Sequence, residues 1–248
     1  PLVVTTRSPA PAMNNPVEAR IFLADRRGCS ETPFLRSYHA FNFGAYRHDG
    51  REPFGNLYLL NDDTLRAGAS LSLTVEEPSE VLLLPVTGGL EYASEVGRGF
   101  LEPGQVGVLS LTGGMTYTVG NPYEKECIQV LQIARSRPVG EGQPGFTGVN
   151  FDLETKNTLL PLTDAAFIGR FDGRAEGVFP VQSAAFGRLF VFVLSGVFEV
   201  VNRLLHAGDG LALHFPSGGG VDFEALSNDA LLLIVAAGKA APPEAGFE

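Results

Sequence analysis

A repeated pattern of short apolar strands and glycine turns is the feature that most constrains how this chain folds. Residues 87–92 (TGGLEY) match residues 195–200 (SGVFEV), and each copy follows a continuous apolar run. Each copy also precedes a glycine-containing turn and a further strand, at residues 103–109 and 207–213. Glycine permits the positive φ angles that reverse the chain between short strands. A repeat on this scale predicts two copies of one small β-domain.

The composition agrees with many short strands rather than long helices. The 248 residues include 30 Gly and 17 Pro but no Trp, and this length suffices for one large domain or two small ones. The 18 Lys and Arg against 28 Asp and Glu give a formal charge of −10. Because nucleic-acid affinity comes largely from clustered basic side chains, we expect no nucleic-acid partner.

The distribution of proline, glycine and apolar residues predicts five segments. They are an extended N-terminal arm (1–19), a first β-barrel (20–135), a linker (136–150), a second β-barrel (151–238) and a tail (239–248). No apolar run approaches the ~20 residues that span a bilayer, and the start shows no charged leader with an apolar core. We therefore expect a cytoplasmic protein without a membrane partner. Cys29 and Cys127 are in no metal-binding spacing, which favours two reduced thiols.

A series of motifs in the first half resembles the pirin family. It runs from His39-x-Phe41-x-Phe43-Gly44-x-Tyr46 through Asn61-Asp62-Asp63 to the stretch between Tyr117 and Asn121-Pro122. The resemblance covers residues 20–134 well and the second half more loosely. It implies an all-β fold of two tandem cupin barrels, which are double-stranded β-helices or jelly rolls. Pirins bind a metal, commonly iron, through three His and one Glu of the N-terminal barrel. Some relatives oxidise flavonols such as quercetin with O₂, and others act as nuclear cofactors of transcription.

The family's metal ligands are replaced in this sequence. Carried over position by position, the three His fall on Thr74, Glu76 and Tyr117, and the Glu falls on Val119. No His lies between residues 49 and 205, so a small shift of the alignment does not restore the set. One carboxylate does not hold iron against the cost of desolvation in an apolar interior. We therefore predict no metal ligands and no cofactor, although the family usually binds iron or another divalent metal.

We predict that a small pocket remains where the metal site would be. Its candidate ligand-binding residues are Thr74, Glu76, Glu91, Tyr117, Val119 and His39. In this hypothesis Glu76 points into the barrel and is hydrogen-bonded to Thr74 and Tyr117. His39 is interpreted mainly as a structural histidine in an aromatic strand, and His48 as exposed. His206 and His214 flank a turn and are a weaker candidate for a second site.

Three functional readings follow. The leading one is a pirin-like bicupin without metal or dioxygenase activity, which binds a small molecule or a protein partner. A homodimer is one of the assemblies that this reading allows. One alternative is a quercetinase-like dioxygenase that holds its metal with non-standard ligands. The other is a metal-free enzyme in which Glu76 and Tyr117 act as general acid and base.

Overall fold

The computed structural model describes residues 18–181, 187–216 and 218–238. Apart from a three-residue 3-10 helix at Ala24–Arg26, its regular elements are β-strands, so the all-β prediction is confirmed. The described chain divides into two compact units. We call Gly28–Val149 the N-terminal unit, and Asn150–Gly238 together with the segment that ends at Arg27 the C-terminal unit. Residues 1–17 of the predicted arm and the predicted tail lie outside the described residues.

The strands are short and follow one another through tight turns. The first twelve are β1 (Glu18–Phe22), β2 (Gly28–Glu31), β3 (Leu35–His39), β4 (Leu57–Leu65), β5 (Ser70–Thr74), β6 (Ser79–Thr87), β7 (Leu90–Ser94), β8 (Gly97–Leu101), β9 (Gln105–Leu111), β10 (Thr116–Gly120), β11 (Ile128–Ser136) and β12 (Gly145–Asn150). The others are β13 (Leu160–Pro161), β14 (Ala166–Phe171), β15 (Glu176–Val181), β16 (Arg188–Ser195), β17 (Val197–Val200), β18 (Arg203–His206), β19 (Gly210–His214), β20 (Gly219–Ala225) and β21 (Ala230–Ala236).

The N-terminal unit packs two sheets around one apolar core. Its larger sheet has the order β12-β9-β6-β11-β4-β3-β2, and its smaller sheet has the order β5-β10-β7-β8. Both sheets supply fully buried side chains to the core, for example Leu83 and Val130 from the larger and Val119 and Leu90 from the smaller. Successive side chains of a strand point to opposite faces, so alternate residues of each strand line this interior.

The C-terminal unit repeats the arrangement. A six-stranded sheet, β1-β19-β16-β21-β14-β13, and a four-stranded sheet, β15-β20-β17-β18, enclose a core rich in phenylalanine. Phe171, Phe198 and Phe223 meet there in edge-to-face contacts, the arrangement that the aromatic quadrupole favours. Among the described residues, no helix is long and apolar enough to cross a membrane.

The predicted repeat is visible in the turns. Gly88 (φ 71°) joins β6 to β7, and Gly196 (φ 79°) occupies the same place between β16 and β17. Gly104 (φ 89°) and Gly208 (φ 84°) likewise precede β9 and β19. Side chains with a Cβ rarely adopt these φ values, so the glycines mark matching chain reversals in the two halves.

Two strands lie elsewhere than the sequence analysis placed them. The predicted first barrel (20–135) includes residues 20–22, but β1 pairs along its whole length with β19, from Glu18 opposite His214 to Phe22 opposite Gly210. Part of the expected linker forms β12, which adjoins β9 in the larger sheet of the N-terminal unit. Both differences arise from pairings between segments distant in sequence, which local composition does not reveal.

Candidate functional site in the N-terminal unit

A cavity of about 420 Å³ opens into the N-terminal unit near the predicted site. Its lining combines apolar and polar side chains from the loop after β3 and from strands β4, β5 and β10, and from the residues that follow β5. They are Asn42, Phe43, Gly44, Arg47, Tyr58, Leu59, Leu73, Thr74, Val75, Glu76, Glu77 and Tyr117. Pockets of about 300–1,000 Å³ accommodate small molecules, so this cavity is large enough for one.

The cavity brings together some of the predicted residues and leaves others apart. Thr74, Glu76 and Tyr117 line it. Val119 is fully buried in the core on the strand that carries Tyr117. Glu91 lines a separate cavity beside β7, and His39 is buried behind Phe43, whose ring centroid lies 4.7 Å from that of His39.

The orientation of β5 differs from the hypothesis for Glu76. Thr74 is exposed and its hydroxyl lies 2.8 Å from that of Thr116, while Glu76 is exposed at the rim of the cavity. The residues of this segment that face the core are Leu73, which pairs with Tyr117, and Val75. Of the carried-over positions, Thr74 and Glu76 thus face outward, whereas Tyr117 and Val119 face the core, and a shift of one residue would exchange the two faces of β5. The expected inward hydrogen bonds of Glu76 are replaced by an outward-facing carboxylate.

Tyr117 lies on the inner face of this smaller sheet, as Tyr92 does, and has 2% of its surface exposed. Burial raises its pKa well above the ordinary 10, and nearby Tyr58 and Asp63 add to the effect. Burial likewise raises the pKa of Tyr58 to about 12, although its hydroxyl donates to Ser79 Oγ at 2.9 Å. Both phenols therefore stay neutral at physiological pH. Tyr117 can donate a hydrogen bond into the cavity, whereas the O–H of Tyr58 is already donated to Ser79, and neither phenol serves there as a phenolate base or ligand.

The larger sheet contributes a buried group of polar side chains to the interior. We define the inner polar cluster as Ser37, His39, Asn61, Asp63 and Gln132. On each strand they lie an even number of residues from core residues and therefore point to the same face. These core residues are Leu35 on β3, Leu59 and Leu65 on β4, and Val130 and Ala134 on β11. The interior therefore has one largely apolar wall and one partly polar wall.

The hydrogen bonds of the inner polar cluster engage both nitrogens of its histidine. His39 Nε2 lies 2.8 Å from Ser30 Oγ, and Nδ1 lies 3.0 Å from Asn61 Oδ1 and 3.3 Å from Ser37 Oγ. With no exposed surface, His39 fits the structural interpretation given to it.

Asp63 is the ionisable carboxyl of the inner polar cluster. Burial raises its pKa from the ordinary 3.8 to about 6, although hydrogen bonds from Ser37 and Gln132 oppose this and Asp62 adds to it. Gln132 Nε2 donates to Asp63 Oδ2. Three atoms of the cluster, Asn61 Nδ2, Asp63 Oδ1 and Gln132 Oε1, are buried without a protein partner. None of the five residues of the cluster is in the lining of the cavity, so the cluster belongs to the buried interior rather than to the cavity wall.

The inner polar cluster was missed by the sequence analysis, although the sequence carries a signal for it. In β4 (LYLLNDDTL), Asn61 and Asp63 have the same parity as Leu59 and Leu65, so they occupy core-facing positions. Gln132 interrupts the same pattern between Val130 and Ala134. Polar residues at core-facing parity on two strands that pair in the sheet indicate a buried network, since buried polar groups need partners.

The residues present do not fit a divalent metal of the kind that pirins bind. On the smaller sheet, the inward positions include Leu73, Tyr92, Tyr117 and Val119, next to Val75, and the two phenols among them are not the imidazole and carboxylate ligands of such a site. On the larger sheet, both ring nitrogens of His39 lie against side-chain oxygens. Within the described ranges, no three His, Cys, Asp or Glu side chains are grouped so that they could hold a metal ion.

Among the described residues, the other histidines and the two cysteines do not come together in one site. His214 Nδ1 lies 3.3 Å from Glu18 Oε2, whereas His206 lies near Asp209, whose carboxylate accepts the His206 backbone N–H. His48 is exposed, as expected. Both thiols, Cys29 and Cys127, are free and exposed.

Comparison with known proteins shows similarity at the level of structure. No protein-family model and no curated protein matches the sequence. YhhW from Escherichia coli matches with a TM-score of 0.77 and 19% identity, over 91% of this chain and 100% of that one. Bacterial pirin YhhW from Escherichia coli in complex with nickel(II) matches with a TM-score of 0.75 and 18% identity, over 90% of this chain and 100% of that one. A quercetin 2,3-dioxygenase from Acinetobacter baumannii matches with a TM-score of 0.65 and 12% identity, over 92% of this chain and 89% of that one. These likenesses confirm a pirin-like cupin fold.

Proposed function

We propose that this chain, which has a pirin-like cupin fold, is a metal-free binding protein that takes a small molecule into the cavity of its N-terminal unit. The observation that carries the proposal is the lining of this cavity, in which apolar Phe43, Leu59 and Leu73 lie beside the neutral hydroxyls of Tyr58 and Tyr117. Such walls bind a partly apolar ligand by contact and hydrogen bonding, without a metal.

The cavity also indicates the kind of ligand that fits it. Phe43, Leu59 and Leu73 offer apolar surface, and Tyr58 and Tyr117 offer neutral hydroxyls. The charged residues of the lining are two carboxylates, Glu76 and Glu77, and one cation, Arg47. The Arg47 guanidinium already donates to the carbonyls of Gly44 and Tyr46. This balance favours neutral or weakly polar ligands over anions.

Metal content tests the metal-free part of the proposal. Protein purified from iron- and nickel-supplemented cells should carry far less than one metal per chain when measured by inductively coupled plasma mass spectrometry. Quercetin incubated with the protein and added Fe²⁺ should not be oxidised faster than in buffer. About one metal per chain that survives Glu76→Ala but is lost in His39→Ala would contradict the proposal and favour a dioxygenase with non-standard ligands.

Ligand entry is tested with quercetin as a hydroxylated aromatic probe. Thr74 lies at the cavity rim and points outward, so Thr74→Trp narrows the entrance without disturbing the core. Ser72→Trp is the matched control, because Ser72 lies on the same outward face of β5 and away from the cavity lining. We expect saturable quercetin binding that weakens in Thr74→Trp and persists in Ser72→Trp. Equal effects of the two variants would place the probe elsewhere.

The acid–base alternative places Glu76 and Tyr117 in the same cavity as general acid and base. Glu76 and Tyr117 both line it, but the raised pKa of Tyr117 restricts that residue to donating a proton or a hydrogen bond. No observation favours this alternative over binding, and we do not propose it.

A further inference from the structure

A second cavity, of about 560 Å³, lies at one end of the larger sheet of the N-terminal unit. It is formed by the turn between β2 and β3, the turn after β4 and the segment before β11. Arg36 and Thr64, neighbours across β3 and β4, line it, and its lining shares no residue with that of the interior cavity. It is therefore separate from the interior cavity described above.

The second cavity is basic, in contrast to the acidic chain. Arg36, Arg66 and Lys125 line it together with one carboxylate, that of Glu31, whereas the whole chain carries a formal charge of −10. Glu124 and Glu126 flank Lys125 in the sequence but are not part of the lining. Three cations around one opening create a local positive potential, which attracts anions.

These three cations are not used in ion pairs among the described residues. Other arginines are paired, for example Arg135 with Glu80 at 2.6 Å and Arg174 with Glu224 at 3.0 Å. Arg36 instead lies over the ring of Tyr38, with its Cζ 5.6 Å from the ring centroid. Its guanidinium is thus positioned by an aromatic face while its N–H groups stay available to a ligand.

The backbone around the second cavity is held by hydrogen bonds. Thr32 Oγ1 accepts the backbone N–H groups of Phe34 and Leu35 at 3.2 and 3.1 Å. The Phe34 carbonyl accepts the Arg66 N–H at 3.0 Å and so joins two of the cavity's walls. The segments that carry Arg36 and Arg66 are therefore held together, and these two cations need little ordering of the backbone to converge on one ligand.

An exposed aromatic ring completes the second cavity. Phe34 lines it and is 65% exposed, so its ring is accessible to a ligand. We propose that this cavity binds a small organic anion. Its carboxylate or phosphate group meets Arg36, Arg66 and Lys125, and a planar apolar part of the ligand lies against Phe34.

Calorimetric titration of the full chain with phenyl phosphate, benzoate and inorganic phosphate tests the proposal. Phenyl phosphate or benzoate should bind saturably, and whichever binds tighter identifies the preferred anionic group. The double variant Arg36→Gln/Arg66→Gln should weaken binding at least tenfold. Arg98→Gln/Arg174→Gln, which removes the same charge at exposed positions outside this cavity, should change it less than twofold.

A second variant tests the apolar contact without touching the charges. Phe34→Ala should weaken phenyl phosphate binding but leave inorganic phosphate unchanged, and the exposed position makes misfolding a poor explanation for any loss. The proposal is overturned if the aromatic anions show no saturation beyond that of sodium chloride at equal ionic strength. It is also overturned if the two double variants weaken binding equally, or if inorganic phosphate binds as tightly as phenyl phosphate.

Discussion

Asp63 is the residue whose charge state most affects the interior of the N-terminal unit. Its pKa of about 6 in the folded protein lies above the ordinary 3.8, mainly because of burial. Between these two values the native state binds more protons than the unfolded state, so the stability contributed by this carboxyl falls as pH rises from about 4 to about 6. Above pH 6 the buried carboxylate lowers the free energy of unfolding by an amount that no longer changes with pH.

Replacing this carboxyl should stabilise the protein at neutral and alkaline pH. Asp63→Asn keeps the size of the side chain and an oxygen that accepts from Gln132, so we expect the free energy of unfolding at pH 8 to rise by up to about 3 kcal/mol. Urea unfolding at pH 8 and pH 4.5 measures this, and the gain should shrink at the lower pH. Asp62→Asn, on the outer face of the same strand, is the control. A loss of stability in Asp63→Asn at pH 8 would show that the carboxylate is better satisfied than its surroundings indicate.

At the scale of residues, the sequence allowed the replaced ligand set to be predicted but not the group that lines the opposite wall. The family positions fell on side chains unsuited to a metal, and Tyr117 does face the interior. The inner polar cluster depends on which faces of β3, β4 and β11 point inward. That orientation is set by the pairing of strands distant in the chain.

At the scale of elements, β5 determines which side chains reach the cavity. Its alternation places Leu71 and Leu73 toward the core and Ser72 and Thr74 toward solvent. The sequence alternates clearly here, but the absolute register came from a carried-over spacing, and an error of one residue reversed the faces.

Substitutions next to each other distinguish the two registers. Val75→Ala removes buried methyl groups and should lower the free energy of unfolding by about 2 kcal/mol, whereas Thr74→Ala should cost less than about 1 kcal/mol. Thermal or urea unfolding of the two variants measures the difference. The opposite ranking would restore the register of the sequence analysis.

Turns were easier to predict than strand partners. The repeat located the turn glycines Gly88 and Gly196, because a positive φ restricts residue type locally. By contrast, residues 145–150 form a strand within a stretch rich in Gly and Pro that reads as a linker. Its place beside β9 depends on an available sheet edge, and no local signal reports that.

At the scale of the whole molecule, the C-terminal unit is completed by a strand from the far end of the described chain. Each residue of β1 pairs with one of β19. Residues 150–238 expressed alone should therefore leave β19 as an open edge, and open edges promote association.

Restoring the strand should reverse this effect. A chain in which residues 150–238 are followed by a Gly/Ser linker and residues 18–27 should elute as a monomer and unfold cooperatively. The same chain with residues 18–27 scrambled should aggregate as the truncated form does. Size-exclusion chromatography and urea unfolding report both, and a well-behaved truncated form would show that β1 contributes little.

The pairing of β1 with β19 also sets the order of events during synthesis. β1 leaves the ribosome long before its partner is translated, so it stays unpaired while the whole N-terminal unit emerges and folds. This pairing joins two of the most widely separated segments of the described chain, and contacts between distant segments form slowly. A nascent chain stalled before residue 210 would thus hold one folded unit and one unpaired strand.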